Sequence, residues 1–426
     1  MWTPIRLLQF FQLGRHFSIL FYAFLLPFLG FSSSEIGSFE WLQLLGFALS
    51  FFWVSGLIQG LVNVYPTLPD YQKASFLSHV LLVFIGISGL SILILTVLLI
   101  IRVPLILLFE QISYSWIYFS FFLVNTPAHL LEYFLFLENK FDKLKWFCTL
   151  SFPFQIAFFS IPIIFTDSIT SGIVGLFLWS FLRLVFLIRS LNFRFTLDVF
   201  LIFNWVRQAL PLIFSAWVGG LATVINAGLV QFFFNGNAGI FAIYRYGARE
   251  LPFLNGLFEG LGIGIVPSLV HHLQDGLKKL KENTRVLIHL IFPISIILML
   301  WVDYWFPFLF SDQFEGSIPI FKIFLFLTSL RLIPTNPILN ALGRSKIIAF
   351  ISLAELVIHI CCSVMGLKWF GLMGIAYATC IAYLFEKSAG IAILWRSNKV
   401  RLYDFLPVEW WLFYTVLLTV SYFINL

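Results

Sequence analysis

The side chains of this sequence best placed to do chemistry are charged residues set inside long apolar stretches: Arg15, Arg245, Arg249 and Arg331, with Glu132, Glu250 and Glu259. A charge at the centre of a bilayer costs at least about 2.5 kcal/mol on insertion scales, so such residues face protein or water. Guanidinium forks grip phosphate oxygens in a geometry that lysine does not match. The arginines therefore suit a cationic, phosphate-binding cavity. Glu132, Glu250 and Glu259 are candidates for proton or sodium coupling, because a buried carboxyl can gain and lose a proton during a cycle. The competing reading is internal ion pairing with Glu40, Glu132, Glu250 or Glu259, which would only hold helices together.

The elements that must carry these residues follow from composition. Of 426 residues, 60% are hydrophobic and 11% charged, and the mean hydropathy is +0.97. Soluble domains are about 25% charged, so a water-soluble fold is excluded. A helix needs about 20 apolar residues to span the hydrocarbon core. On that measure the chain divides into about twelve spans and a weaker thirteenth, from Leu7–Phe31 to Val408–Asn425. Nothing resembles a cleaved leader, and the first apolar run reads as a retained helix.

Arg15 lies about two turns into span one. Arg245 and Arg249 are four residues apart in span eight, Ala238–Leu269, which predicts one shared helical face. Arg331 falls near mid-depth in span ten, Ser317–Leu342, ahead of Pro334 and Pro337, which must interrupt the helix. Arg183, Arg207 and Lys387 lie nearer span ends and read as snorkelling to headgroups. Gly256, Gly260, Gly262 and Gly264 make the later part of span eight pliable.

With the N-terminus in the cytoplasm, the even-numbered links collect Lys73, Lys140, Lys143, Lys145, Arg189, Arg194, Lys278, Lys279, Lys281, Arg285, Arg344, Lys346, Arg396, Lys399 and Arg401. The odd links hold only Arg102 and Lys368, so the positive-inside rule sets that orientation. Topology accounts for the net charge of +6, and no basic cluster with exposed aromatics suggests nucleic acid. Cys148, Cys361, Cys362 and Cys380 lack metal or redox spacing, so no metal and no cofactor is expected. No G-x-x-x-x-G-K-[ST] loop points to ATP hydrolysis. The external links are too short for a catalytic loop, and the chain is not expected to be an enzyme.

An internal repeat runs through the chain. Gly37-Ser38-Phe39 and Tyr65-Pro66-Thr67-Leu68 in span two match Gly239-Ile240-Phe241 and Val266-Pro267-Ser268-Leu269 in span eight, about 202 residues on. The link after span four lies about 204 residues before Gly343-Arg344-Ser345-Lys346. The expected fold is an all-α polytopic membrane protein of two pseudo-symmetric six-helix bundles around a central cavity. Residues 1–190 and 206–395 form the lobes, 191–205 a cytoplasmic linker, and 396–426 a cytoplasmic loop with one additional C-terminal helix.

The sequence resembles the multidrug/oligosaccharidyl-lipid/polysaccharide flippase superfamily, within it the polysaccharide-biosynthesis or O-antigen flippase branch. The resemblance is carried by Ala209-Leu210-Pro211-Leu212, Gly239-Ile240-Phe241-Ala242-Ile243-Tyr244, Asn340-Ala341-Leu342-Gly343-Arg344-Ser345-Lys346 and Gly371-Leu372-Met373-Gly374-Ile375-Ala376-Tyr377-Ala378-Thr379. It implies a MATE-like fold and alternating access. It also implies a polyprenyl-pyrophosphate-linked oligosaccharide as cargo, carried from the cytoplasmic to the outer leaflet of the bacterial cytoplasmic membrane. Arg15, Arg245, Arg249 and Arg331 would then hold the pyrophosphate, with membrane lipids, H+ or Na+ and other polysaccharide-assembly proteins as partners. A cation-coupled drug or small-molecule exporter of the same fold is the alternative, although an organic cation calls for carboxylates and aromatic faces.

Overall fold

The computed structural model describes residues 4–102, 112–191, 198–249, 265–266, 268–398 and 400–424. Its regular structure is helical throughout. Ten helices among the described residues are long and apolar enough to cross a membrane, and Phe17–Phe28, Gly220–Phe233 and Val408–Ile424 are shorter apolar helices. The protein is a multi-pass, all-helical membrane protein. Its contacts divide into two compact units, Met1–Val224 and Ile225–Leu426.

The first unit holds α1 (Pro4–Phe28), α2 (Ser33–Val64), α3 (Asp70–Ile100), α4 (Ser115–Ala128), α5 (Leu130–Leu137), α6 (Phe141–Thr166), α7 (Ile169–Ser190) and the beginning of α8 (Val199–Phe233). Helix α8 starts at Val199, not at the Val206 expected for span seven, and the boundary between units falls inside it. Helix α2 opens with a capping box, in which the Ser32 hydroxyl and the Glu35 carboxylate each accept from the other's backbone N–H. Its later turns approach α8 closely. A Cβ on Gly60 would stand 2.8 Å from that of Ala209, and Trp205 and Ala209 join Leu57, Leu61, Phe76 and Leu81 in one buried cluster.

The second unit contains α9 (Ala238–Gly247), α10 (Leu273–Leu300), α11 (Val302–Phe310), α12 (Ile318–Arg331), α13 (Thr335–Ala341), α14 (Ser345–Phe370), α15 (Leu372–Asn398), α16 (Leu402–Phe405) and α17 (Val408–Ile424). The additional C-terminal helix α17 is tied to this unit. The Trp411 indole donates to the Ser329 carbonyl of α12 at 2.8 Å, and the Tyr414 hydroxyl meets His289 of α10 at 3.1 Å.

The expected repeat has a counterpart in local structure. Asn139 and Asp167 hold φ of 56° and 49°, and Gly343 and Gly371, each 204 positions later (139 to 343, 167 to 371), hold 69° and 59°. At the first pair the helix ends alike, with Lys140 N–H to Leu135 O and Arg344 N–H to Leu339 O both at 2.9 Å. All four are positive-φ residues at helix ends, where glycine carries no Cβ penalty.

The close approach of α14 to α15 depends on two glycines, because a Cβ on Gly374 would collide with the Gly366 backbone. Backbone cannot yield as a flexible side chain does. Gly374→Leu is expected to cost about 1–3 kcal/mol or more and to lower the yield of monodisperse protein in fluorescence-detected size exclusion. Gly86→Leu, where nothing lies within 4 Å of the added Cβ, is expected to behave as wild type in the same assay.

Candidate functional site

Among the described residues, each unit carries a polar cluster built around a broken helix. In the second unit the break separates α12 from α13 at Leu332–Pro334, where Pro334 cannot supply a helical N–H. Arg331 is the last residue of α12, and its guanidinium donates to the Tyr383 hydroxyl of α15 at 3.0 Å while lying 5.1 Å from the centre of that ring. One turn past the break, the Asn336 amide donates to Glu386 at 2.8 Å. The other Glu386 oxygen meets Lys387 at 3.0 Å. Glu355 of α14 feels the charges of Glu386, Lys387 and Arg331. The Thr379 hydroxyl donates to the Ile375 carbonyl at 2.8 Å, so the 3.2 Å contact with His359 requires His359 Nε2–H as donor.

Helix α9 adds Arg245 and Arg249 to the same unit, but not on one helical face. The helix stops at Gly247, the Ala248 N–H closes on the Tyr244 carbonyl, and Arg249 lies beyond the end. The four-residue spacing therefore does not set their relative direction. Ser317 donates its hydroxyl to the Ile243 carbonyl at 2.7 Å, and a Cβ on Gly247 would stand 2.6 Å from Ile320. The end of α9 is thereby docked on α12, with Ile243 and Ala248 packed on the cluster of Ile320, Ile323 and Leu327. Arg249 sits 4.6 Å from the centre of the Tyr246 ring, which is itself stacked on Phe314 at 4.0 Å. Arg245 thus lies on α9, Arg249 just beyond its end and Arg331 at the last residue of α12, the helix on which α9 docks. Glu250, Glu259 and the four glycines from Gly256 to Gly264 lie outside the described residues.

In the first unit the break separates α4 from α5 at His129, two residues after Pro127. Glu132 is buried and paired with Arg183 of α7 at 3.2 Å, and Arg183 also donates to the Ala128 carbonyl at 3.4 Å. His129 Nδ1 is 3.7 Å from the second Glu132 oxygen. The Asn125 amide contacts His129 Nε2 at 3.3 Å, and Ser180 of α7 donates to Asn125 at 3.0 Å. Arg15 is half-buried on α1. Gly14 positions it, because α1 comes so close to α6 that a Cβ there would meet the Phe152 ring.

Two residues read from sequence as snorkelling are turned inward. Arg183 is 4% exposed and Lys387 8% exposed, each paired with a buried carboxylate, whereas Arg207 is exposed as expected. Each side chain follows its carboxylate because pairing offsets desolvation where lipid offers no partner. The repeat also relates the clusters, since Glu132 and Asn336 are 204 positions apart and each reaches a charged residue one helix pair later. The carboxylate lies on the broken helix in one unit and on its neighbour in the other. His129, Asn125, Ser180, Tyr383 and Glu386 were not singled out from sequence. The offset of the repeat, applied to Glu132, is the signal that leads to Asn336.

No family model and no curated relative matches the sequence. Solved structures do match across nearly its whole length. The chain is similar to a lipid II flippase MurJ in an inward closed conformation, with a TM-score of 0.71 and 15% identity over 97% of this chain and 91% of that one. It is similar to an inward-facing multidrug resistance MATE family transporter of the MOP superfamily, with a TM-score of 0.63 and 11% identity over 99% and 96%. A third likeness is to a MOP superfamily transporter from Pyrococcus furiosus described as having a binding pocket of reversed polarity, with a TM-score of 0.51 and 13% identity over 93% and 92%. At these identities the likeness establishes the fold, an all-helical one shared with transporters of that superfamily.

Proposed function

We propose that the protein is a flippase that carries a polyprenyl-pyrophosphate-linked oligosaccharide from the cytoplasmic to the outer leaflet of a bacterial cytoplasmic membrane, by alternating access. The N-terminus is cytoplasmic, residues 1–190 and 206–395 act as the two lobes, and the cargo serves surface polysaccharide or O-antigen assembly. The observation that carries this reading is the presence in one unit of Arg245 on α9, Arg249 just past its end and Arg331 at the last residue of α12, the helix on which α9 docks. Guanidinium groups are suited to a diphosphate, which presents several oxygens to planar forks. Arg15 on α1 is proposed as a further phosphate-binding cation. The fold shared with a lipid II flippase adds support, because the cargo of that protein is also a lipid.

A cation-coupled exporter is the second reading, favoured by the MATE likenesses and by the buried carboxylate of Glu386, three residues from Tyr383 on α15. Mass spectrometry of polyprenyl-linked lipids in a deletion strain of the source organism separates the two. The flippase reading expects a completed lipid-linked oligosaccharide to accumulate and to clear when the gene is returned. An unchanged lipid profile with new sensitivity to cationic drugs would overturn it in favour of the exporter.

A further inference from the structure

The first unit's cluster is more than an ion pair. Ser180 donates to Asn125 Oδ1, so the other end of that amide, Nδ2, faces His129 Nε2 at 3.3 Å. An amide nitrogen can only donate, so Nε2 accepts, and the neutral ring carries its hydrogen on Nδ1. Nδ1 is buried with no hydrogen-bond partner among the described residues, and Glu132 Oε1 lies 3.7 Å from it, beyond hydrogen-bond length. The ring is at the α4–α5 break and is not sealed in, whereas Glu132 is 1% exposed on its side chain. Arg183 is an incomplete partner for that carboxylate, because its buried Nε has no hydrogen-bond acceptor among the described residues.

We propose that His129 is a proton-binding site of the transport cycle and that its protonation draws Glu132 from Arg183 toward the imidazolium. The inference deepens the flippase reading and rests on it for the role of Arg15. A proton adds to the Nε2 lone pair and no bond is broken. Nε2–H can no longer face the Asn125 Nδ2 donor, so the amide turns over, with Oδ1 accepting from the ring and Nδ2 donating to the Ser180 oxygen. The cationic ring now competes with Arg183 for Glu132, loosening α7 from the α4–α5 break. The charged and titratable groups around the ring are Glu132 on its own chain segment, Arg183 on α7 and Arg15 on α1, with the Cys148 thiol of α6 sensing Glu132. On α3, His79 is engaged elsewhere, by the Asp198 N–H, and on α2 Glu40 acts on Tyr118. An anion held at Arg15 would lower the positive potential felt at His129 and favour its proton, and the proton would favour the anion by the same factor.

The test is a pH titration of the full-length protein in nanodiscs with 15N-labelled histidine rings. The seven histidines are resolved by subtracting the spectrum of His129→Gln, or of His129→Asn if the first variant does not fold. The expected result is a ring protonated on Nδ1 at high pH that takes up one proton between pH 5 and 9. Arg15→Gln should raise its proton affinity roughly tenfold, the scale of one removed charge at moderate effective dielectric, and inorganic pyrophosphate should raise that of wild type. A ring that stays neutral over this range in wild type and Arg15→Gln, or one protonated on Nε2 at high pH, overturns the proposal. Titration that responds to Arg15→Gln but not to pyrophosphate leaves the proton site standing and counts against Arg15 as an anion ligand. No lipid cargo is present in the measurement, so the proton site and the flippase reading fail separately.

Discussion

Arg331→Ala is expected to reduce translocation of a fluorescent polyprenyl-pyrophosphate lipid in reconstituted vesicles by about 30-fold to 4,000-fold, with the protein still folded. The figure follows from truncating one partner of a buried, hydrogen-bonded charge pair, which costs about 2–5 kcal/mol, at about 1.4 kcal/mol per tenfold. Arg331 ends α12 at the break and is steadied by the Tyr383 hydroxyl at 3.0 Å, so its guanidinium is held before cargo arrives. Arg331→Lys is expected to recover only part of the rate, since an ammonium keeps the charge but loses the planar fork. Tyr383→Phe removes one neutral acceptor of the guanidinium and should cost less than Arg331→Ala. Wild-type flipping by Arg331→Ala would remove this residue from the site.

The second large effect is on stability. Glu132→Gln leaves the Arg183 guanidinium buried without its counter-ion, and breaking such a pair costs about 3–5 kcal/mol. At about 2–4 °C per kcal/mol, the apparent melting temperature should fall on the order of 10 °C in a detergent thermal-stability assay. Replacing both partners by apolar residues of similar volume, Glu132→Leu with Arg183→Met, should restore most of it, because the pair as a whole has little net worth against a well-packed apolar contact. The restored double variant should still fail in transport if proton exchange at His129 depends on Glu132. A single variant with unchanged stability would mean that Arg183 finds another partner.

Much of this architecture is legible in the sequence. The spans follow from apolar run length, the Leu332–Pro334 break from Pro334, and the repeat from the Gly343-Arg344-Ser345-Lys346 link, where Asn139 and Gly343 terminate equivalent helices. What escapes is direction around each helix. In a soluble helix a polar face marks the solvent side, but lipid and protein interior look equally apolar. Arg183 and Lys387 were therefore placed by distance from a span end, whereas their direction is set by Glu132 and Glu386. Arg249 escapes for a different reason. The run from Ile243 to Arg249 reads as continuous helix, and only the packing of Gly247 on Ile320 accompanies the stop that carries Arg249 off the α9 face. His129 carries no motif at all, and it becomes visible once Pro127 is seen to be followed by a break with Asn125 and Glu132 on either side.

The most direct test of the central claim is a binding comparison on the purified protein by native mass spectrometry, between a polyprenyl pyrophosphate and the polyprenol of the same chain length. The account predicts that the pyrophosphate lipid binds at least tenfold more tightly, that inorganic pyrophosphate competes with it, and that the preference is lost in the Arg249→Ala, Arg331→Ala double variant. Equal binding of alcohol and pyrophosphate, or a preference that survives both substitutions, would contradict it.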